Sequence, residues 1–250
     1  MVTVLVILDG ATDTEPSSLE LAETPALDRL AAEGETEWID LLDPGVPVGS
    51  ETAIASLLGW RPAGTVDRAL VEAAARGLDG DCVRRIDLQG GHRLLTFGDT
   101  SLESDAIVRI WPPGARPPRI LDTSTVVVGA AGAATGLAAL MGARVVIPPG
   151  ATGLPGSDLA AKRRAALAEI ESGAERLIVH VGGADEAGHA RDRASKLAVL
   201  AQADREIIGP LADAVQSLGG MIEVCPDHGC NPATGAHVVG PVPRVRWTAR

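Results

Sequence analysis

The stretch Val2-Thr3-Val4-Leu5-Val6-Ile7-Leu8-Asp9-Gly10 is a short, continuous apolar run that ends in an acidic residue and a glycine. Runs of this length are typical of strands that lie inside a parallel sheet and are covered on both faces. The same kind of run recurs along the chain at Thr125–Val128, Arg144–Ile147, Leu177–Val181 and Met221–Val224. The sequence therefore predicts a central, mostly parallel sheet.

Segments with the apolar spacing of helices lie between these predicted strands. They are Ala26–Glu33, Glu51–Leu58, Ala131–Met141, Leu159–Glu171 and Arg193–Leu218. Pro210 is expected to interrupt the last segment, since proline removes a helical hydrogen bond. Strands that alternate with helices predict an α/β fold with helices on both faces of the sheet.

Residues 61–120 have a different character, with two proline pairs, several glycines and short alternating runs at Cys82–Leu88 and His92–Phe97. Such runs are typical of hairpins. We therefore expect a core domain formed by residues 1–60 and 121–250, with a small inserted, β-rich cap at 61–120.

The composition excludes several classes of protein. The chain has 250 residues, 46% of them hydrophobic, which is enough to bury a core and excludes intrinsic disorder. A net charge of −11 and an aromatic content of 2% argue against a nucleic-acid binder. Three cysteines fit a reducing compartment, and the uncharged run Val126–Ala143 is too rich in glycine and alanine for a membrane span. We expect a soluble, cytoplasmic protein without a signal peptide.

Acids and histidines follow three of the predicted strands. Asp9-Gly10 follows the first strand, Asp185 and His189 follow Leu177–Val181, and Asp227-His228 follows Met221–Val224. Ligands bind at the carboxyl edge of parallel sheets, where such loops converge. Each motif taken alone has an ordinary alternative, namely a turn, a helix cap or a hydrogen-bonded bend. Their joint occurrence favours a binding site.

Mixed aspartate and histidine ligands suit Zn²⁺ or Mn²⁺, and this set is large enough for two ions. Ser50, in Gly49-Ser50-Glu51-Thr52, lies where a glycine- and proline-rich stretch turns into a predicted helix. It is either a helix N-cap or a nucleophile that accepts a phosphoryl group at the helix N-terminus. Its position in the sequence does not separate these two alternatives.

As an ordered set, these motifs resemble the cofactor-independent phosphoglycerate mutases, in particular their archaeal-type branch within the alkaline phosphatase superfamily. The resemblance extends to Thr24-Pro25-Ala26-Leu27-Asp28 and to His237, which is followed by Pro241-Val242-Pro243. It implies two divalent metal ions and no organic cofactor. It also implies that Ser50 is phosphorylated during turnover. By resemblance, one metal would be held by Asp9, Ser50, Asp227 and His228, and the other by Asp185, His189 and His237.

The insertion departs from the family, in which a much larger domain supplies arginines to the substrate. Arg84 and Arg85 resemble a remnant of the family's arginine-rich strand, and Lys162 matches a substrate-binding lysine. The alternative for each is a solvated surface cation. His180, inside a predicted strand, is expected to be a core residue.

The resemblance implies a phosphomutase-like enzyme acting on a small phosphorylated hydroxy acid or a phosphonate analogue. From the composition, we expect no nucleic-acid or membrane partner. The alternatives are a metal-dependent phosphatase, which a reduced cap favours, and a non-catalytic metal-binding relative.

Overall fold

The computed structural model describes residues 1–78, 111 and 113–249 with their side chains, and strands 82–88, 91–96 and 107–110 as backbone. The described strands are β1 (Thr3–Leu8), β2 (Glu35–Ile39), β3 (Cys82–Leu88), β4 (Gly91–Thr96), β5 (Ile107–Ile110), β6 (Thr125–Val128), β7 (Arg144–Val146), β8 (Arg176–Val181), β9 (Met221–Pro226), β10 (Gly229–Asn231), β11 (Ala236–Val238) and β12 (Val242–Thr248). The described helices are α1 (Ser18–Leu21), α2 (Pro25–Glu33), α3 (Ser50–Leu57), α4 (Arg68–Ala74), α5 (Ala133–Met141), α6 (Leu159–Glu171), α7 (Gly183–His189), α8 (Arg193–Ala203) and α9 (Gly209–Ser217).

The central sheet contains seven strands within this part of the chain, in the order β2-β12-β9-β1-β8-β6-β7. β1 pairs in parallel with β8 and β9, and β6 pairs in parallel with β8 and β7. β12 runs antiparallel to β9 and β2, so antiparallel pairing is confined to one side of the sheet. The predicted mostly parallel α/β sheet is confirmed.

Helices cover both faces of this sheet, as predicted. Successive residues of a strand point to opposite faces. Val4 and Val6 of β1 therefore lie in one apolar core with α2, α6, α8 and α9, whereas Leu5 and Ile7 lie in a second core with α3, α4 and α5. Complete burial of each such side chain contributes about 1.5–3 kcal/mol. The two cores thus cover both faces of β1, the middle strand of the sheet.

The last helical segment is interrupted, although not at the proline itself. α8 ends at Ala203, a π-helical turn spans Asp204–Ile208, and Pro210 is the second residue of α9. Proline is tolerated there because the first turn of a helix has no partner for its N–H groups. The interruption therefore precedes Pro210 by about one turn.

The predicted cap contains a separate three-stranded antiparallel sheet, in the order β4-β3-β5. α4 also lies within residues 61–120, but it packs against α5, and its Val71 belongs to the main core. The division into a core domain and a cap stays a prediction. Although α4 lies within the range predicted for the cap, it packs against the core.

The uncharged run from Val126 to Ala143 forms most of β6 and all of α5. Across the described ranges, no helix combines the length and the apolar character needed to cross a membrane.

Candidate metal centre

Three neighbouring elements bring acidic residues together at the carboxyl edge of the sheet. β1 ends in register with both β8 and β9, so Asp9 and Asp227 follow adjacent strands. α7 begins two residues after β8 and places Asp185 in its first turn. The three carboxylates are almost completely buried. Parallel pairing thus brings together acidic residues that are far apart in the chain, such as Asp9 and Asp227.

Gly10 allows the loop after β1 to approach the other two elements. Its backbone N–H donates a hydrogen bond to Asp227 Oδ1 at 3.1 Å. Its φ of +63° is left-handed, and a Cβ at this position would lie 2.6 Å from Asp185 Oδ1. Both the conformation and the close approach therefore require glycine.

Ser50 is the first residue of α3 and faces this cluster. The N-cap is Gly49, so the interpretation of Ser50 as a simple N-cap is wrong. The Ser50 hydroxyl donates to Asp9 Oδ1 at 3.3 Å and lies 3.2 Å from His228 Nε2. A hydroxyl at a helix N-terminus, beside a carboxylate and an imidazole, is well placed for nucleophilic chemistry.

One group of possible metal ligands surrounds Ser50. The ligand atoms of Asp9, Asp227 and His228 all lie within 4.8 Å of one another, and all three residues are buried. His228 Nε2 is 3.5 Å from both Asp9 Oδ1 and Asp227 Oδ2. The structure thus brings together the four residues that the family resemblance assigns to one metal.

A second group adjoins the first. Asp185 Oδ2 lies 3.2 Å from His189 Nε2, and Asp185 Oδ1 lies 3.5 Å from His237 Nε2. The two imidazole Nε2 atoms are 3.1 Å apart. The Nδ1 atoms of His189 and His237 face the backbone carbonyls of Gly235 and Val48, at 2.8 and 3.3 Å. These bonds fix the rings so that Nε2 is directed at Asp185, as in histidine metal ligands.

The donor set fits divalent cations. Asp185 Oδ1 and Asp227 Oδ2 are buried carboxylate oxygens without a hydrogen-bond partner. A buried charged oxygen without a partner is energetically costly, and a metal ion is one of the groups that satisfies it. The oxygen and imidazole donors match the preferences of ions such as Zn²⁺ and Mn²⁺.

The ionisation of these groups reflects their crowding. Burial, followed by repulsion from Asp227 and Asp185, raises the pKa of Asp9 to about 6. Burial and the nearby Asp185 raise the pKa of Asp227 to about 7. The hydrogen bond to Asp185 raises the pKa of His189 to about 11. Burial opposes ionisation of Asp185 itself, but the imidazoles of His189 and His237 beside it hold its pKa below the usual range. The raised pKa values mean that protons compete with a cation for Asp9, Asp227 and His189.

Metal binding is accordingly expected to release protons and to strengthen as the pH rises. Asp9, Asp227 and His189 each lose a proton to become ligands, so raising the pH through about 6–7 removes competing protons from the two carboxylates. Calorimetric titration of the metal-free protein, in buffers of different ionisation enthalpy, measures both affinity and protons released. An affinity that does not change with pH, with no proton release, would contradict this assignment.

The structure describes the side chain of only one of the three cations predicted to bind the substrate. Lys162, in α6, is completely buried, and its Nζ donates to the carbonyl of His180 at 2.9 Å. The alternative of a solvated lysine is therefore wrong. Burial lowers the pKa of Lys162 to about 8, opposed by the charge of Asp9. Arg84 and Arg85 lie in β3, where the backbone alone is described, so their role as substrate ligands stays a prediction.

His180 is a site residue that sequence analysis placed in the core. It is buried in β8, as expected, but its Nε2 lies 3.3 Å from Asp9 Oδ2 without hydrogen-bond geometry. It therefore borders Asp9 on the side away from Ser50. The sequence signal for this role is an imidazole in the otherwise apolar run Leu177–Val181, one position before the strand ends.

A cavity of about 510 Å³ opens beside the cluster. Asp227 and His228 form part of its wall, together with Val48 and Val238. Arg61 also lines it and forms a 3.0 Å ion pair with Asp43. The cavity is large enough for a small organic anion.

Comparisons with known proteins agree with this architecture. The family model described as "Metalloenzyme superfamily" matches residues 1–249. A curated relative, the 2,3-bisphosphoglycerate-independent phosphoglycerate mutase 2 of Methanothermobacter thermautotrophicus, is 39% identical over 108 residues. That match covers 43% of this chain and 27% of the relative, so the aligned segment is a minor part of that enzyme.

Two solved structures share the fold. The PH0037 protein from Pyrococcus horikoshii superposes with a TM-score of 0.79 at 24% identity, covering 98% of this chain and 84% of its own. The cofactor-independent phosphoglycerate mutase from Thermoplasma acidophilum superposes with a TM-score of 0.60 at 15% identity, covering 99% and 90%. Both likenesses concern the arrangement of the sheet and helices.

Proposed function

The chain belongs to the Metalloenzyme superfamily, whose model matches residues 1–249, and on this premise we propose that it is a two-metal phosphoryl-transfer enzyme working through a phosphoserine at Ser50. The proposed substrate is a small phosphorylated hydroxy acid or a phosphonate analogue. Membership of the superfamily implies divalent metal ions, and Mn²⁺ or Zn²⁺ are the proposed ones.

One observation carries this proposal. The Ser50 hydroxyl lies at the start of α3 within 3.3 Å of both Asp9 and His228, beside buried carboxylate oxygens that lack partners. The name of the Methanothermobacter relative supports phosphoryl transfer between the hydroxyl groups of a hydroxy acid. The proposed ligand sets are those brought together in the structure, Asp9, Ser50, Asp227 and His228 on one side and Asp185, His189 and His237 on the other.

In the proposed reaction, the Ser50 oxygen forms a bond to phosphorus while the bond between phosphorus and the substrate ester oxygen breaks. The proton that Ser50 loses is balanced by the proton that the departing substrate oxygen takes up, so the substrate leaves as a free hydroxyl. The bound metals would lower the pKa of the Ser50 hydroxyl and balance the charge on the phosphoryl oxygens. The Ser50 hydroxyl donates its proton to a hydrogen bond with Asp9 Oδ1, which leaves the lone pairs of the oxygen available for attack in this proposal. The N–H groups and dipole of the first turn of α3 favour the transferred anion.

The second half of a mutase cycle returns the phosphoryl group to a different hydroxyl of the same substrate. This requires the substrate to turn over while the phosphoserine is protected from water. In the proposal, the cap at 61–120 provides this protection, and Arg84, Arg85 and Lys162 stay the candidate anion ligands. Because Lys162 is completely buried and donates to the His180 carbonyl, its proposed effect on a substrate is through its charge rather than through direct contact.

Hydrolysis is the second candidate function, and solvent access favours it. The side chain of His189 is 41% exposed and that of His237 is 25% exposed, so water reaches this side of the cluster. A water molecule that attacks the phosphoserine in place of a hydroxyl group releases phosphate.

A panel assay tests the proposal and separates the two candidates. Protein loaded with Mn²⁺ or Zn²⁺ is mixed with small phosphate and phosphonate esters of hydroxy acids, and both isomer and free phosphate are measured. We expect a metal-dependent reaction with isomer formation exceeding phosphate release. Phosphate release alone would establish the hydrolase. No reaction on any ester, with both metals bound, would favour the non-catalytic alternative.

A further inference from the structure

Cys230 lies beside the second group of metal ligands. It is completely buried in β10, directly opposite His237 in the antiparallel pairing of β10 and β11. Residues opposite each other in an antiparallel pair place their side chains on the same face. The thiol and the imidazole therefore project from the same side of the ribbon.

The thiol also lies within the ligand cluster itself. The ligand atoms of Asp185, His189 and Cys230 are all within 4.8 Å of one another. Helix α7 leaves room for the sulfur at Gly188, where a Cβ would lie 2.6 Å from Cys230 Sγ. A side chain at Gly188 would thus displace the sulfur from the position between Asp185 and His189.

The backbone of Cys230 is held on both sides. Its N–H donates to the carbonyl of Thr12 at 2.8 Å. Its carbonyl accepts a 2.6 Å hydrogen bond from Nζ of Lys196, a completely buried lysine that also pairs with Asp13 at 3.0 Å. These contacts fix the backbone from which the thiol projects.

We propose that Cys230 is a further protein ligand of the metal held by Asp185, His189 and His237, bound as a thiolate after its proton passes to solvent. The inference rests on the proposed metal centre and concerns which ion that centre takes. Thiolate donors favour zinc over manganese, whereas carboxylates and imidazole alone discriminate less between them. The group formed by Asp9, Asp227 and His228 offers only oxygen and nitrogen donors. The two sites thus differ in the softness of their donor atoms, and the site that contains Cys230 prefers zinc over manganese.

Cobalt(II) is the probe for this ligand, because a bond between cobalt and a thiolate gives an intense charge-transfer band in the near ultraviolet. Metal-free protein is loaded with cobalt and its metal content is measured alongside the spectrum. We expect the band in the wild-type protein and its loss in Cys230→Ser, which keeps the size of the side chain. Cys225→Ser is the matched control, since Cys225 is also a buried thiol but contacts the Pro226 carbonyl at 3.1 Å. Cys82→Ser controls for the third thiol.

Competition between zinc and manganese gives a second measurement. We expect Cys230→Ser to reduce the preference of the protein for zinc over manganese by at least about tenfold, the lower end of the loss typical of changes around metal ligands. Circular dichroism establishes whether Cys230→Ser is folded. If this variant does not fold, the cobalt spectrum of the wild-type protein still tests the proposal.

The outcomes separate this inference from the metal centre on which it rests. Cobalt bound to the wild-type protein without a charge-transfer band, or a band that persists in Cys230→Ser, would mean that Cys230 only fills space. Failure of the wild-type protein to bind cobalt or zinc at all would contradict the metal centre, and the thiolate ligand with it.

Discussion

Replacing Ser50 with alanine is expected to abolish the phosphoenzyme and to lower turnover on the order of 10⁴-fold or more, the scale of loss when a covalent nucleophile is removed. The fold should be retained. Gly49 rather than Ser50 is the N-cap of α3, and the hydrogen bond that Ser50 makes to Asp9 contributes only about 1 kcal/mol. Ser50→Ala therefore removes the proposed nucleophile with little effect on the free energy of unfolding.

Acid quenching of the protein with a labelled phosphate ester, followed by peptide mapping, locates the trapped phosphate. Ser56→Ala is the matched control, because Ser56 lies in the same helix and donates to the Thr52 carbonyl at 3.2 Å. Ser56→Ala should turn over normally. Phosphate trapped on another residue, or normal turnover by Ser50→Ala, would show that the covalent mechanism is wrong.

Replacing Asp185 with alanine is expected to remove the metal of the second site and the activity together. Asp185 contacts both His189 and His237, so its loss would remove one proposed ligand and a contact of the other two. We expect metal affinity at this site to fall by more than about 100-fold, the upper end of the loss when a residue behind a ligand is replaced.

Elemental analysis of the purified variants measures this loss directly. Glu186→Ala is the control, because Glu186 is the next residue of α7 but is exposed. A second measurement is the pKa of His189 in the metal-free protein, which the hydrogen bond to Asp185 raises and which should fall in Asp185→Ala. Undiminished metal content in Asp185→Ala would remove Asp185 from the ligand set.

The gathering of Asp9, Asp185 and Asp227 was predictable from the order of residues alone. Each follows a continuous apolar run, such runs form parallel strands, and the carboxyl ends of parallel strands meet at one edge. The position of Ser50 at the start of a helix was predictable for a similar local reason, namely the change from a glycine- and proline-rich stretch to helical spacing. Whether Ser50 caps that helix was not predictable, because Gly49 and Ser50 are both acceptable N-caps and only the backbone path selects between them.

Lys162, His180 and Cys230 show where local pattern is insufficient. A lysine four residues into a helix resembles a solvated cation, yet α6 packs against the sheet so that Lys162 reaches the carbonyl of His180. A histidine in an apolar strand resembles a core residue, yet strand pairing turns His180 toward Asp9. The thiol of Cys230 reaches the proposed metal ligands only through its register with His237 and the space left at Gly188. Short-range periodicity determines the strands, the helices and the edge at which they converge. Side-chain neighbours across elements depend on register and packing between segments far apart in the chain, which only the folded structure defines.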